Sequence, residues 1–168
     1  MMLAATGVAL SAVGALWPAT AEANNLQLGK PAPPLVLHTL DGHEIATTAL
    51  LGKVVIVTFW ASYCEPCREE LPILSDYARR HVQAGLQVLG FCIDPPDNIE
   101  EVRNVAKSLS FPVGLLGTPY AGGYGRIWRM PVSFVIDRSG NLIDDGWKDD
   151  NPVWTTERLH RIVDPMLR

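Results

Sequence analysis

The chain has 168 residues, enough for one domain with a single apolar core that needs no metal or disulfide framework. With 14 basic against 18 acidic residues its net charge is −4, and no stripe of lysine and arginine is present, which argues against nucleic acid as a partner. Three cysteines are too few to staple a fold, so a Cys-x-x-Cys pair among them reads as a working group.

Residues 3–17 are apolar and small and lead into Ala19-Thr20-Ala21 and Ala21-Glu22-Ala23, both of the A-x-A form. The pattern predicts a secretory signal over residues 1–23, cleaved after Ala23, and one domain over residues 24–168. No Lys or Arg precedes the apolar run, so only the amino terminus supplies positive charge. Read instead as an uncleaved membrane anchor, the stretch of about 15 residues is shorter than the ~20 a span needs. Either way the domain is expected outside the cytoplasmic membrane, in the periplasm or on the outer membrane face, where thiol–disulfide chemistry operates.

Asn24 to Pro34 is a polar, proline-rich lead-in. Leu35-Val36-Leu37 and Ile45 flank the turn signal Asp41-Gly42 and predict a small β-hairpin, with one helical turn over Thr47 to Leu51. Lys53 to Trp60 is β-branched and aromatic, hence a buried strand. From Glu65 onward Leu71, Leu74, Tyr77, Ala78 and His81 recur at helical spacing, and Gly85 is placed to end that helix after about Gln83. Cys64 and Cys67 therefore sit where a strand hands over to a helix. Pro66 suits the first helical turn, which puts Cys64 near the N-cap. There the unpaired backbone N–H groups and the helix dipole favour a thiolate, making Cys64 the nucleophile and Cys67 its shielded partner.

Leu86 to Ile93 predicts a second buried strand, parallel to the first. Asp97, with Glu100 three residues on, reads as the N-cap of a helix through Val102, Val105, Ala106 and Leu109. Val113 to Leu116 predicts an edge strand. The glycine-rich stretch from Gly117 to Arg129 predicts a loop with one short helix near Tyr124 to Trp128. Val132 to Asp137 and Asn141 to Trp147 form a hairpin across Ser139-Gly140. Thr155 to Leu167 predicts a final helix whose last turn Pro165 limits. The sum is an α/β fold, a mixed β-sheet with helices on both faces.

The segments Phe59-Trp60-Ala61-Ser62-Tyr63-Cys64-Glu65-Pro66-Cys67-Arg68-Glu69-Glu70-Leu71-Pro72 and Met130-Pro131-Val132-Ser133-Phe134-Val135-Ile136-Asp137 resemble the thioredoxin superfamily. Within it they are similar to the exported TlpA/ResA-like thiol–disulfide oxidoreductases, which include the cytochrome c maturation reductases. The resemblance covers roughly residues 28 to 168. It implies a thioredoxin fold with an N-terminal β-hairpin extension and an inserted helix, and a cofactor-free protein-disulfide reductase acting as a monomer. Its implied partners are disulfide-bearing exported proteins of cytochrome c or copper-site assembly and a membrane thiol electron donor. Pro131 matches the family's cis-proline, which would turn the Met130 backbone toward Cys64 and leave it free to pair with an extended substrate strand. Glu70 matches a buried glutamate of the exported reductases. It lies three residues after Cys67 on the same helix face, where a carboxyl with raised pKa can take the resolving cysteine's proton. Thr58 stands where thioredoxins proper carry a buried Asp, and Tyr63 replaces the tryptophan common before the first cysteine.

Two other chemistries compete. As a copper or metal delivery protein the chain has one Cys-x-x-Cys and the scattered histidines His38, His43, His81 and His160, with no His-x3–5-His pair, so a closed zinc site lacks ligands; two thiolates do suit Cu(I). A peroxiredoxin-like peroxidase would want Pro-x-x-x-Thr-x-x-Cys, and Pro-Thr is absent before Cys64. Among the remaining residues, Cys92 reads as a small core hydrophobe, with a third redox thiol as the alternative. Trp60 reads as support packed under the motif or as a substrate contact. Glu65 and Glu69 read as solvated helix charges. Tyr120, Tyr124, Trp128 and Met130 either line a partner groove or pack normally.

Overall fold

The computed structural model describes residues 26–168, so the predicted signal segment 1–23 lies outside the described residues. Strand β3 (Val54–Trp60) is the centre of the sheet, and every one of its residues is buried. Successive side chains on a strand point to opposite faces, so this continuous apolar run supplies two cores at once. Val54, Ile56 and Trp60 enter one, while Val55, Val57 and Phe59 enter the other. Parallel β4 (Leu86–Cys92) pairs on one side with Val54 opposite Leu86, and antiparallel β6 (Val132–Ile136) pairs on the other with Thr58 opposite Ser133. Adding β5 (Val113–Leu115) and β7 (Leu142–Asp145) gives the order β5-β4-β3-β6-β7.

The N-terminal hairpin is β1 (Val36–His38) with β2 (Glu44–Ala46), as its turn signal predicts. Beyond it, the Leu40 N–H donates to the outward Val113 carbonyl at 2.9 Å. A Cβ on Gly114 would lie 1.9 Å from the His38 carbonyl oxygen, so this close approach of hairpin to sheet requires glycine. At the other side of the sheet the lead-in segment follows β7: Gly29 N–H donates to the Leu142 carbonyl at 2.8 Å and Leu142 N–H to the Lys30 carbonyl at 2.9 Å.

Helices α1 (Glu65–His81), α2 (Ile99–Ala106), α3 (Thr156–Ile162) and α4 (Asp164–Leu167) all turn apolar side chains into the first core. The opposite core is closed by Leu37 of β1 and by two 3-10 turns, Thr47–Leu50 and Gly122–Tyr124. Helical turns thus lie against both faces, with the long ones on a single side. In the second core Phe59, Phe91, Phe134 and Tyr124 form one aromatic cluster, with Tyr124 4.7 Å from Phe134 between ring centroids. Each such ring, fully buried, contributes roughly 2 kcal/mol or more.

Several predicted boundaries move. Helix α1 stops at His81 and not near Gln83; the chain then turns through Val82 to Gly85, whose φ of +84° closes the turn. Asp97 is not an N-cap. Pro95 and Pro96 fix φ and lack donors, so the chain enters through a 3-10 turn, Pro96–Asn98, before α2 begins with Asn98 as its uncapped N-cap and ends at Ala106, short of Leu109. No helix covers Tyr124 to Trp128, because Gly125 at φ +80° ends the preceding 3-10 turn. Pro165 does not trim a last turn: it has no N–H for the Arg161 carbonyl, so the helix divides into α3 and α4 with Pro165 in the first turn of the latter.

Candidate active site

The hand-over from β3 to α1 places Cys64 at the N-cap of α1, with φ −84° and ψ 103°, and Pro66 in the first turn. Its Sγ accepts from the Cys67 backbone N–H at 3.3 Å, as a capping residue should, and the two cysteines are joined in a disulfide with Cα atoms 5.2 Å apart. Cys64 keeps 8% of its surface exposed and Cys67 none. The asymmetry expected from the sequence is therefore built in: one sulfur is reachable from outside and the other only from its partner.

Glu70 lies one turn after Cys67, wholly buried among apolar side chains of α1. Its Oε2 accepts from the Trp154 backbone N–H at 2.7 Å, while Oε1 has no protein partner among the described residues. Burial pushes its pKa from the ordinary 4.5 to about 7, against the opposing pull of the Trp154 N–H and the Arg158 charge. Thr58 and Ser133, paired across β3 and β6, add two further buried hydroxyls on the same sheet face, neither of which titrates in the ordinary range. Glu65 and Glu69 are exposed, as solvated helix charges are.

Asp94, which the sequence offers only as the end of a strand, anchors the loop before the cysteines. It is buried at the end of β4 and accepts from Ser62 N–H at 2.8 Å and Ser62 Oγ at 2.6 Å. Cys92 Sγ donates to it at 3.1 Å and Asn98 Nδ2 at 3.3 Å. Burial alone would raise its pKa, but these bonds, led by the Ser62 hydroxyl, outweigh burial and hold it below the usual value. Cys92 is fully buried, and burial pushes its thiol pKa up, which removes it from nucleophilic work. Replacing Asp94 with Ala leaves the Ser62 N–H and hydroxyl without their acceptor. The expected result is a loss of about 2 kcal/mol in chemical denaturation and a slower reaction of reduced Cys64 with disulfide reagents. A variant as stable and as fast as the parent would remove Asp94 from this role.

The Met130–Pro131 peptide is cis, as the sequence reading expects, with Met130 half-buried at the start of the approach to β6. Trp60 corrects one expectation. Its side chain is fully enclosed in the first core, so it supports the motif and has no surface to offer a substrate. Tyr124 likewise belongs to the second core and lines no groove, because its ring packs on Phe59 and Phe134. Tyr63, Tyr120 and Trp128 remain exposed; Trp128 stacks on Trp147 at 5.5 Å with Arg129 against both rings. Among the described residues no cluster of three or more His, Cys, Asp or Glu is arranged to hold a metal ion.

Comparison with known proteins agrees with this geometry. Residues 28–144 match the model of the AhpC/TSA family. The thiol-disulfide oxidoreductase ResA of Bacillus cereus is 32% identical over 127 residues, 74% of this chain and 72% of that protein. ResA of Geobacillus kaustophilus is 26% identical over 72% of this chain and 70% of its own length. A crystal structure of a thiol:disulfide interchange protein of the thioredoxin family from Chlorobium tepidum TLS superposes with a TM-score of 0.67 at 29% identity, covering 82% of this chain and 96% of that one. With its thioredoxin fold and its cysteine pair at the head of α1, the chain belongs to the AhpC/TSA family, and it is a thiol–disulfide oxidoreductase.

Proposed function

We propose that the protein reduces disulfides in exported partner proteins, with Cys64 as nucleophile, Cys67 as resolving thiol and Glu70 as proton acceptor. The observation that carries this reading is the placing of a wholly buried Glu70, with a pKa near neutrality, one turn behind the wholly buried Cys67. In the reduced enzyme the Cys64 thiolate attacks one sulfur of the partner disulfide; a mixed disulfide forms and the partner's other sulfur leaves as thiolate. Cys67 gives its proton to Glu70, and the resulting thiolate attacks Cys64 Sγ, breaking the mixed disulfide. Two electrons have passed to the partner, and Cys64 and Cys67 are left as the disulfide present in this structure. A dithiol donor at the membrane returns two electrons and two protons.

Met130 and Pro131 serve in this scheme as the docking edge for an extended partner segment beside Cys64. The resemblance to exported reductases supports partners in cytochrome c or copper-site assembly, action as a monomer, and a periplasmic location reached through residues 1–23. Among the described residues no helix is long and apolar enough to cross a membrane.

Exported protein with Cys67 replaced by Ala should accumulate as a covalent adduct with its partners, because nothing can resolve the bond at Cys64. Mass spectrometry of the adduct released by reductant names the partner. A Cys67→Ala protein that captures nothing and still turns over would sink the mechanism. Peroxide consumption without a protein disulfide substrate, or tight Cu(I) binding with no reductase activity, would replace it with the peroxidase or the delivery reading respectively.

A further inference from the structure

Among the described residues, Glu70 is held from outside its own helix by one hydrogen bond, from the backbone N–H of Trp154 at 2.7 Å. Trp154 lies in a stretch without regular secondary structure between the 3-10 turn Gly146–Lys148 and α3. A segment of this kind, with no ladder of its own, needs something else to fix it. That is supplied by Arg158, a buried arginine of α3. Its Nη1 donates to the Pro152 carbonyl. Its Nη2 donates to Asp144 Oδ2 of β7 at 2.7 Å and faces Asp149 Oδ2 at 3.1 Å. Its Cζ lies over the Trp154 ring, 4.2 Å from the ring centre. One side chain thus ties down residues 149, 152 and 154 together, using the planar fork and the flat stacking face that lysine lacks.

We propose that Arg158 is a positioning residue for the redox centre, clamping the segment from Asp149 to Trp154 so that the Trp154 N–H is presented to Glu70. The inference rests on the reading of Glu70 as proton acceptor for Cys67. Arg158 acts on that carboxyl in two ways with one sign: the N–H it positions and the positive charge it carries both favour the ionised form. The groups around Glu70 that bear on this are few. Helix α1 presents Cys67, and on the sheet face that α1 covers the buried polar side chains of β3 and β6 among the described residues include the neutral hydroxyls of Thr58 and Ser133. On β7 Asp144 is paired with Arg158, and Asp145, which lies opposite Phe134 on the other face, is paired with Lys148. Asp149 is the second counter-charge of Arg158.

The test follows the second thiol released when reduced protein meets excess dithiobis(nitrobenzoate), since Cys67 resolving the mixed disulfide at Cys64 produces it. The rate of this step is recorded against pH for the parent, Arg158→Met, Arg158→Lys and Glu70→Gln, with thermal melting of each. Arg158→Met removes charge and fork, and its pH midpoint should rise by about one unit. Arg158→Lys keeps the charge but loses the fork and the stack, so its midpoint should rise by less. Lysine also leaves the inference testable if the Met variant does not fold. General loosening of the domain would lower both melting temperatures without ordering the midpoints in this way. If both Arg158 variants keep the parent midpoint while Glu70→Gln abolishes it, the clamp is refuted and Glu70 stands. If Glu70→Gln itself keeps the parent profile, the reading of Glu70 fails and the clamp fails with it.

Discussion

Replacing Cys64 with serine should lower protein-disulfide reduction by about a thousandfold or more, because a nucleophile that acts with a partner is lost as a unit. The fold should survive. Serine is among the best N-cap residues, and its Oγ can accept the Cys67 N–H that Cys64 Sγ accepts at 3.3 Å. The remaining thiols cannot substitute: Cys67 and Cys92 are both fully buried, and burial pushes the Cys92 pKa upward. Insulin reduction measured beside circular dichroism checks both halves. A folded Cys64→Ser protein that keeps a tenth of the parent activity, where about a thousandfold loss is expected, would show that another sulfur makes the first attack.

The second large effect concerns stability, and its sign runs against function. Glu70 has a pKa of about 7 in the folded protein against an ordinary value of 4.5. Between those two values the folded state holds a proton that the unfolded state has released, so stability falls as pH rises through this window. Above pH 7 the full cost, about 3 kcal/mol, is present. Glu70→Gln abolishes the titration. The variant should therefore gain about 3 kcal/mol on the parent between pH 4.5 and pH 8 in denaturant titrations, while losing its fast resolving step. Measuring the change between the two pH values removes the constant cost of burying an amide. Parallel stability curves for parent and variant would show that Glu70 is not a destabilised buried carboxyl.

What was legible in the sequence divides by how far apart the interacting residues are. Strand β3 declares itself through consecutive β-branched and aromatic residues, and Cys64 at the N-cap follows from Pro66 two residues on, so the site's local geometry could be read directly. Glu70 was singled out by the resemblance to exported reductases, and helical spacing then placed it on the face of Cys67. Asp94 was not, because its partner Ser62 is brought to it only by the parallel register of β3 and β4, in which Trp60 lies opposite Cys92. Trp154 and Arg158 were hidden for the same reason, being 84 residues and more from Glu70 along the chain. Two boundaries failed where proline chemistry competes with helix propensity, at Pro95-Pro96 and at Pro165, and others where glycine turns close the chain, near Gly85 and at Gly125. Tyr124 was left open between groove and core because an aromatic residue among glycines reads equally as either until the sheet face it covers is known.

The segments flanking the sheet carry a consequence for the protein's life among other chains. A strand with free outward N–H and C=O groups is a template on which partly unfolded polypeptides add further strands. A disulfide reductase meets such polypeptides as its ordinary business. Here Leu40 occupies the outward carbonyl of Val113, and Gly29 and Lys30 occupy the outward groups of Leu142. With these outward groups on both rims of the sheet engaged by its own chain, strand addition by a bound client at those positions should be disfavoured. Trimming residues before Pro33 should reopen the β7 rim and make that addition visible as light scattering in mixtures with reduced, unfolded substrate.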